Sequence, residues 1–386
     1  MTRHTSVPVS TFASSASSVV ESLDRLRSPR MLNRRRWLVA ALLAATLGAG
    51  ARTATVFLDA AADTLPNRLG DGEFWKLVED LSEPNGSFRS DNLLSNELQF
   101  QHVIPELTRI AQPGRAYLGV GPEQNFTYIA ALRPAMAFII DIRRGNLDLQ
   151  LLYKALFELS SDRAQFVSLL FSKPRPPGLT ATSSANEIFD AYSTVESSER
   201  LYVENMSSIR NQLFTKHGFE LSEDDLRGIE YVYHAFAMFG PGIKYSPVGL
   251  TGGTIQPTFA ALMAATDQGG QTRGFLSTEE AFAFLKNLQS RNLIVPVVGD
   301  FAGAKAIRAV GTYLKQKGAL VSAFYLSNVE EYLRQNGVWL DFCANVSELP
   351  RDGASTFIRS TRSGSGDPAE ALRSEIGSMA AISNCR

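Results

Sequence analysis

The chain has 386 residues, 44% of them hydrophobic, enough to bury a sizeable core, so disorder along its whole length is excluded. Its 38 Lys and Arg against 39 Asp and Glu leave a net charge of −1. That is too weak a field to gather polyphosphate and argues against nucleic acid as the main partner. Two cysteines, Cys343 and Cys385, cannot build a Cys-rich metal site or a disulfide-dense scaffold. In an exported chain one bond between them would staple the C-terminal tail to the body; in the cytosol both would be thiols.

Residues 1–30 are Ser-rich and read as a disordered leader, with Met31 a second candidate start. Residues 31–52 read as a signal peptide or N-terminal anchor. Asn33-Arg34-Arg35-Arg36 precedes the uncharged run Trp37 to Gly50, which ends in the small-residue pattern Ala49-Gly50-Ala51. The arginines with Trp37-Leu38 resemble a loose twin-arginine signal. The run is shorter than the ~20 residues that span a bilayer, and arginines before it leave the rest of the chain outside the cytoplasm. A buried N-terminal helix is the other reading of this run. The expected localisation is therefore exported or periplasmic, and cytoplasmic if the run is not a signal; membrane contact is expected only through it.

Residues 53–111 form a helical lead-in, with helical patterning around Glu73 to Leu81, a polar loop Ser82 to Asp91, and Glu97 to Ile110, whose expected content is structural or gating. Asn85-Gly86-Ser87 and Asn125-Phe126-Thr127 are N-glycosylation sequons on paper.

Residues 112–180 read as the first half of a Rossmann-like domain. Ala116 to Val120 is a buried strand entering the turn at Gly119 and Gly121, and Asn125 onward is the following helix. Glycines here let a ligand approach the backbone, with the helix's unpaired N–H groups facing the crevice. The bland alternative is a tight turn and nothing more. The next strand, Met136 to Ile140, ends at Asp141, about 20 residues on, where a Rossmann-type site holds ribose hydroxyls. Arg143 and Arg144 follow at the strand's C-terminal end; they are candidates to clamp a carboxylate or phosphate, or to pair with carboxylates such as Asp148 or Glu158.

Residues 181–254 read as a helical cap and a flexible loop. Ser222-Glu223-Asp224-Asp225 starts one cap helix, and Gly249 to Thr254 suits a lid. A cap over the strand ends would make His217, Tyr231, Tyr233 and His234 candidate substrate contacts, although His234 on an apolar face also reads as a core histidine. Residues 255–362 form the second half: a capping box Ser277 to Glu280, a strand Leu293 to Val298 interrupted by Pro296, Gly299-Asp300, a helix Ala302 to Lys317, and a strand Leu320 to Leu326 before Ser327-Asn328. Asp300 is the candidate catalytic or substrate-orienting group, or else an N-cap; Tyr325 and Asn328 are candidate substrate contacts. Residues 363–386 are a C-terminal tail.

Gly119-Val120-Gly121-Pro122-Glu123-Gln124-Asn125, Ile139-Ile140-Asp141-Ile142-Arg143-Arg144, Val298-Gly299-Asp300-Phe301 and Ala323-Phe324-Tyr325-Leu326-Ser327-Asn328 are similar to a bacterial family with a class I S-adenosylmethionine-dependent methyltransferase-like (Rossmann) fold. The resemblance covers roughly residues 74–362. It implies an α/β fold, a mostly parallel sheet of the methyltransferase type with a helical insertion. It also implies S-adenosylmethionine as cofactor, held by Gly119, Gly121, Glu123, Asn125 and Asp141. The pattern departs in having Tyr117 where an acid usually stands and Glu123 in place of a third glycine. The chain shows no H-E-x-x-H, no G-x-S-x-G and no Walker lysine, so no metal site is expected, and serine hydrolysis and a phosphate loop lose support. Methyl donors are made in the cytosol whereas the N-terminus predicts export. The expectation is thus a methyltransferase-like protein with a small-molecule ligand, and the alternative an exported, non-enzymatic binder of an anionic small molecule.

Overall fold

Six short runs become the strands of one sheet: β1 Ala116–Gly119, β2 Met136–Asp141, β3 Ile294–Val298, β4 Val321–Ser327, β5 Thr356–Arg362 and β6 Leu372–Ser378. They come from a computed structural model of the chain that describes residues 65–245, 256–364 and 372–384. The order is β3-β2-β1-β4-β5-β6, with β1 to β5 parallel and β6 antiparallel to β5. The protein is therefore α/β with a mostly parallel sheet. Every residue of β1, β2 and β3 is buried, which is why these strands read as unbroken apolar runs rather than alternating ones. Pro296 is tolerated because β3 is an edge strand. Leu293 O and Gly299 N both bond to β2, so by two-residue alternation the imide of Pro296 turns toward the free edge.

Helices Arg144–Leu159, Arg163–Phe171, Ala185–Ser193, Glu199–Arg210, Glu223–Phe239, Phe259–Ala264 and Glu279–Ser290 intervene between β2 and β3. Ser184, Ser222 and Thr278 cap three of them by accepting from backbone N–H groups, as their sequence patterns demand. The helix after β3 begins at Ala306, later than the sequence pattern predicts, because Asp300 and Glu83 hold residues 300–305 in a turn.

The lead-in keeps the expected helix and loop, whereas the C-terminal tail differs from expectation. The lead-in folds as helix Asp71–Leu81, an irregular strap, and helix Ile104–Ile110, and the strap lies across the strand ends. The C-terminal tail supplies β6 and a 3-10 turn, Met379–Asn384. Cys343 is disulfide-bonded, and Cys385, the other cysteine, lies outside the described residues. The leader, the signal segment and Ser246 to Ile255 of the lid loop also lie outside them. Among the described residues no helix is long and apolar enough to cross a membrane.

Candidate functional site

The glycine turn after β1 is stapled from within. Tyr117 donates its hydroxyl to Asn125 Oδ1 at 2.9 Å, and Asn125 Nδ2 donates to the carbonyls of Val120 (2.9 Å), Gly121 (3.3 Å) and Pro122 (2.8 Å). A Cβ on Gly119 would stand 1.8 Å from Asn125 Oδ1, so that glycine makes room for the staple, not for a ligand. Gly121 differs. Its φ is +78°, and a Cβ there would meet no atom within 4 Å, which leaves open space beside its backbone.

That space belongs to a cavity of about 550 Å³ beyond the C-terminal ends of β1, β2, β3 and β4. It is lined by Gly121 from the first strand end, Asp141 and Arg143 from the second, Asp300 from the third, and Tyr325 and Asn328 from the fourth. The chain reverses direction across the sheet between β1 and β4, and open α/β sheets bind ligands in the crevice at such a switch point.

The strap closes the cavity from the N-terminal side. Glu83 N donates to Val298 O (2.7 Å), Gly86 N to Ile142 O (2.9 Å), and Arg143 reaches the carbonyls of Ser90 and Asp91. Ser95 N then donates to both carboxylate oxygens of Glu123, at 3.1 and 3.3 Å. Glu83 also accepts from the backbone N–H groups of Asp300, Lys305 and Ala306, at 2.9, 2.6 and 2.9 Å, and so fills the donors of that turn itself.

Six of the residues singled out in the sequence thus meet in one cavity: Gly121, Asp141, Arg143, Asp300, Tyr325 and Asn328. Gly119, Glu123, Asn125 and Arg144 do not line it. Arg143 does not project as a free clamp; it forks onto Asp141, Nε to Oδ1 at 3.1 Å and the terminal nitrogen to Oδ2 at 3.2 Å. Arg144 pairs with Asp225, at 2.6 and 2.9 Å. Asp300 accepts from Ala302 N at 2.9 Å, a turn-forming role that leaves it still facing the cavity.

None of the four cap residues singled out in the sequence, His217, Tyr231, Tyr233 and His234, lines the cavity. His217 lies between Asp71 and Glu158, each 2.7 Å from a ring nitrogen. Tyr231 donates to Asp91 (3.1 Å), Tyr233 donates to Leu169 O (2.9 Å), and His234 is exposed rather than buried in a core. The sequon at Asn125 is closed to modification in the folded chain, since Asn125 is 0% exposed.

Sequence reasoning missed Glu97. Its carboxylate is 1% exposed and lines the cavity, accepting from Gln124 Nε2 (2.9 Å), the Tyr325 hydroxyl (2.8 Å) and the Ser327 hydroxyl. Glu123, behind it, is raised to about 8, chiefly by burial and secondarily by the Glu97 charge, against the hydrogen bonds from Ser95 and its own backbone. The only local trace of this cluster is the polar triplet Ser95-Asn96-Glu97 between Leu94 and Leu98, which reads as an ordinary loop. Among the described residues, no group of three or more His, Cys, Asp or Glu is arranged to hold a metal ion.

No curated protein matches the chain. A family defined as a domain of unknown function, DUF7790, matches residues 93–375, which takes in Glu97 and all the strand ends around the cavity but leaves out helix Asp71–Leu81 and the first half of the strap. The chain belongs to the DUF7790 family.

Proposed function

We propose that the sheet is a Rossmann-like one of the methyltransferase type and that its cavity takes the nucleoside of S-adenosylmethionine, for methyl transfer to a small molecule. The observation that carries this reading is the convergence of Gly121, Asp141, Asp300 and Asn328, from four successive parallel strands, on one cavity at the switch point. The residues fit a nucleoside. Gly121 offers open backbone, and Asp141, whose Oδ2 accepts one bond from Arg143, keeps a lone pair there for a ribose hydroxyl. When bound, such a cofactor supplies an electrophilic methyl group; the chain's own residues hold it and exclude water.

The second reading is an exported binder without methyl transfer, and the disulfide at Cys343 favours it, because such bonds persist in oxidising compartments. With Arg143 spent on Asp141, an anionic ligand would meet Arg89 or Arg362 at the cavity's rim instead. Equilibrium dialysis of labelled S-adenosylmethionine against the full chain separates the two. One equivalent retained, and displaced by S-adenosylhomocysteine, is the expected result. No retention at millimolar concentration would overturn it in favour of the second.

A further inference from the structure

Glu97 is a buried carboxylate with no cation beside it among the described residues. Its three hydrogen bonds come from neutral donors, and among the described residues no Lys, Arg or His lies within ion-pair distance of it. The stretches 246–255 and 365–371, whose described neighbours Tyr245, Gln256 and Leu372 line the cavity, contain no Lys, Arg or His either. A carboxylate taken out of water is costly unless paired, and three neutral bonds use three of its four lone-pair sites. One position therefore stays open on Glu97 Oε2, and Glu97 lines the cavity.

Ser327 adds an independent sign. It is a non-glycine residue with φ of +50°, at a register irregularity in the pairing of β4 with β5, and this conformation aims its hydroxyl at Glu97. Left-handed backbone at a residue with a side chain costs free energy and tends to persist at ligand sites. The cavity also carries the rings of Phe88, Tyr245, Phe301, Tyr325 and Tyr332, of which Tyr325 touches the carboxylate and Tyr332 already has the Arg89 guanidinium over its face. Aromatic faces and a buried carboxylate together are the chemistry that recognises an organic ammonium ion, the first by cation–π attraction and the second by charge and hydrogen bonding.

We infer that Glu97, Tyr325 and Ser327 form the floor of a subsite for a primary ammonium group carried on an apolar or aromatic body. This goes beyond the nucleoside reading and stands without it. The test uses 2-phenylethylammonium and its neutral counterpart 2-phenylethanol, titrated by calorimetry into the full chain. The wild-type protein should bind the ammonium at least about tenfold more tightly than the alcohol. Glu97→Gln should lose that preference and keep the alcohol's affinity, while Ser327→Ala, which leaves the charge in place, should keep it. Equal affinity of the wild type for the two probes, which needs no variant, would overturn the inference, as would a preference that survives in a folded Glu97→Gln. Binding of the ammonium by a protein that ignores S-adenosylhomocysteine would sink the nucleoside reading and leave this subsite standing.

Discussion

Arg143 grips the carboxylate of Asp141 from two residues away, and with its other terminal nitrogen it holds the carbonyls of Ser90 and Asp91, so one guanidinium ties the strap to the end of β2. Both side chains are nearly buried, at 12% and 5% exposure, and removing one partner of such a pair strands the other charge. Arg143→Ala should therefore lose about 3 kcal/mol of unfolding free energy in urea. Limited proteolysis should at the same time open a cut between Ser87 and Asn92. A variant as stable and as protease-resistant as wild type would show that the strap is held elsewhere.

The two turn glycines should respond differently to the same substitution. Gly119→Ala drives a methyl into Asn125 and breaks the Tyr117–Asn125 bond, a loss of about 3 kcal/mol or more. Gly121→Ala meets no neighbour and costs only the left-handed backbone preference, about 1 kcal/mol. Chemical denaturation of the two variants side by side would measure the gap, and equal losses would contradict the staple.

His217 should make the protein less stable as pH rises. Burial and, less strongly, the Lys154 charge push its pKa down, but the hydrogen bond and charge of Glu158 and the hydrogen bond of Asp71 outweigh them and leave it above 6.5. A raised folded value means the contribution is whole below the unfolded pKa and fades as pH climbs through the folded one. The difference in melting temperature between wild type and His217→Gln should accordingly be widest near about pH 6 and narrow toward about pH 9. A difference that grows with pH would reverse the assignment.

Asp148 is raised to about 8, first by burial and then by the neighbouring Asp225 charge, so the folded chain holds its proton where the unfolded chain releases it near 3.8. Stability from that proton is complete below 3.8 and lost as pH rises toward 8. Asp148→Asn is uncharged throughout, and its amide can donate to Asp225. It should melt above wild type at pH 8 and converge with it near pH 4. Parallel melting curves across that range would show that Asp148 is ionised in the fold.

Local patterns make most of the sheet legible. β1 to β4, the turn glycines and Asp141 are each fixed by a run of neighbouring residues, and the same holds for the caps at Ser222 and Thr278. What escaped depends on contacts distant in sequence. Glu97 is bound by Gln124, Tyr325 and Ser327, and Glu83 by the turn after β3, so nothing beside either residue announces its role. β6 escaped because Leu372–Ser378 is an edge strand, half exposed, with little apolar run to mark it. The cap misled for a related reason. Helical periodicity says that Glu223–Phe239 has a buried face but not against what, and that face packs on helix Arg144–Leu159 rather than over the strand ends.

If the cavity takes a nucleoside as proposed, Asp141 holds its ribose, and calorimetric titration of S-adenosylhomocysteine into wild type and Asp141→Asn measures that contact. Asparagine keeps the side chain's shape and its hydrogen bond from Arg143 N but leaves the Arg143 charge without its partner, so urea denaturation first checks that the variant is folded at the titration temperature. Micromolar binding by wild type, weakened about tenfold in the variant, is the predicted result; affinity unchanged by the substitution, or no binding by wild type at millimolar ligand, would contradict it.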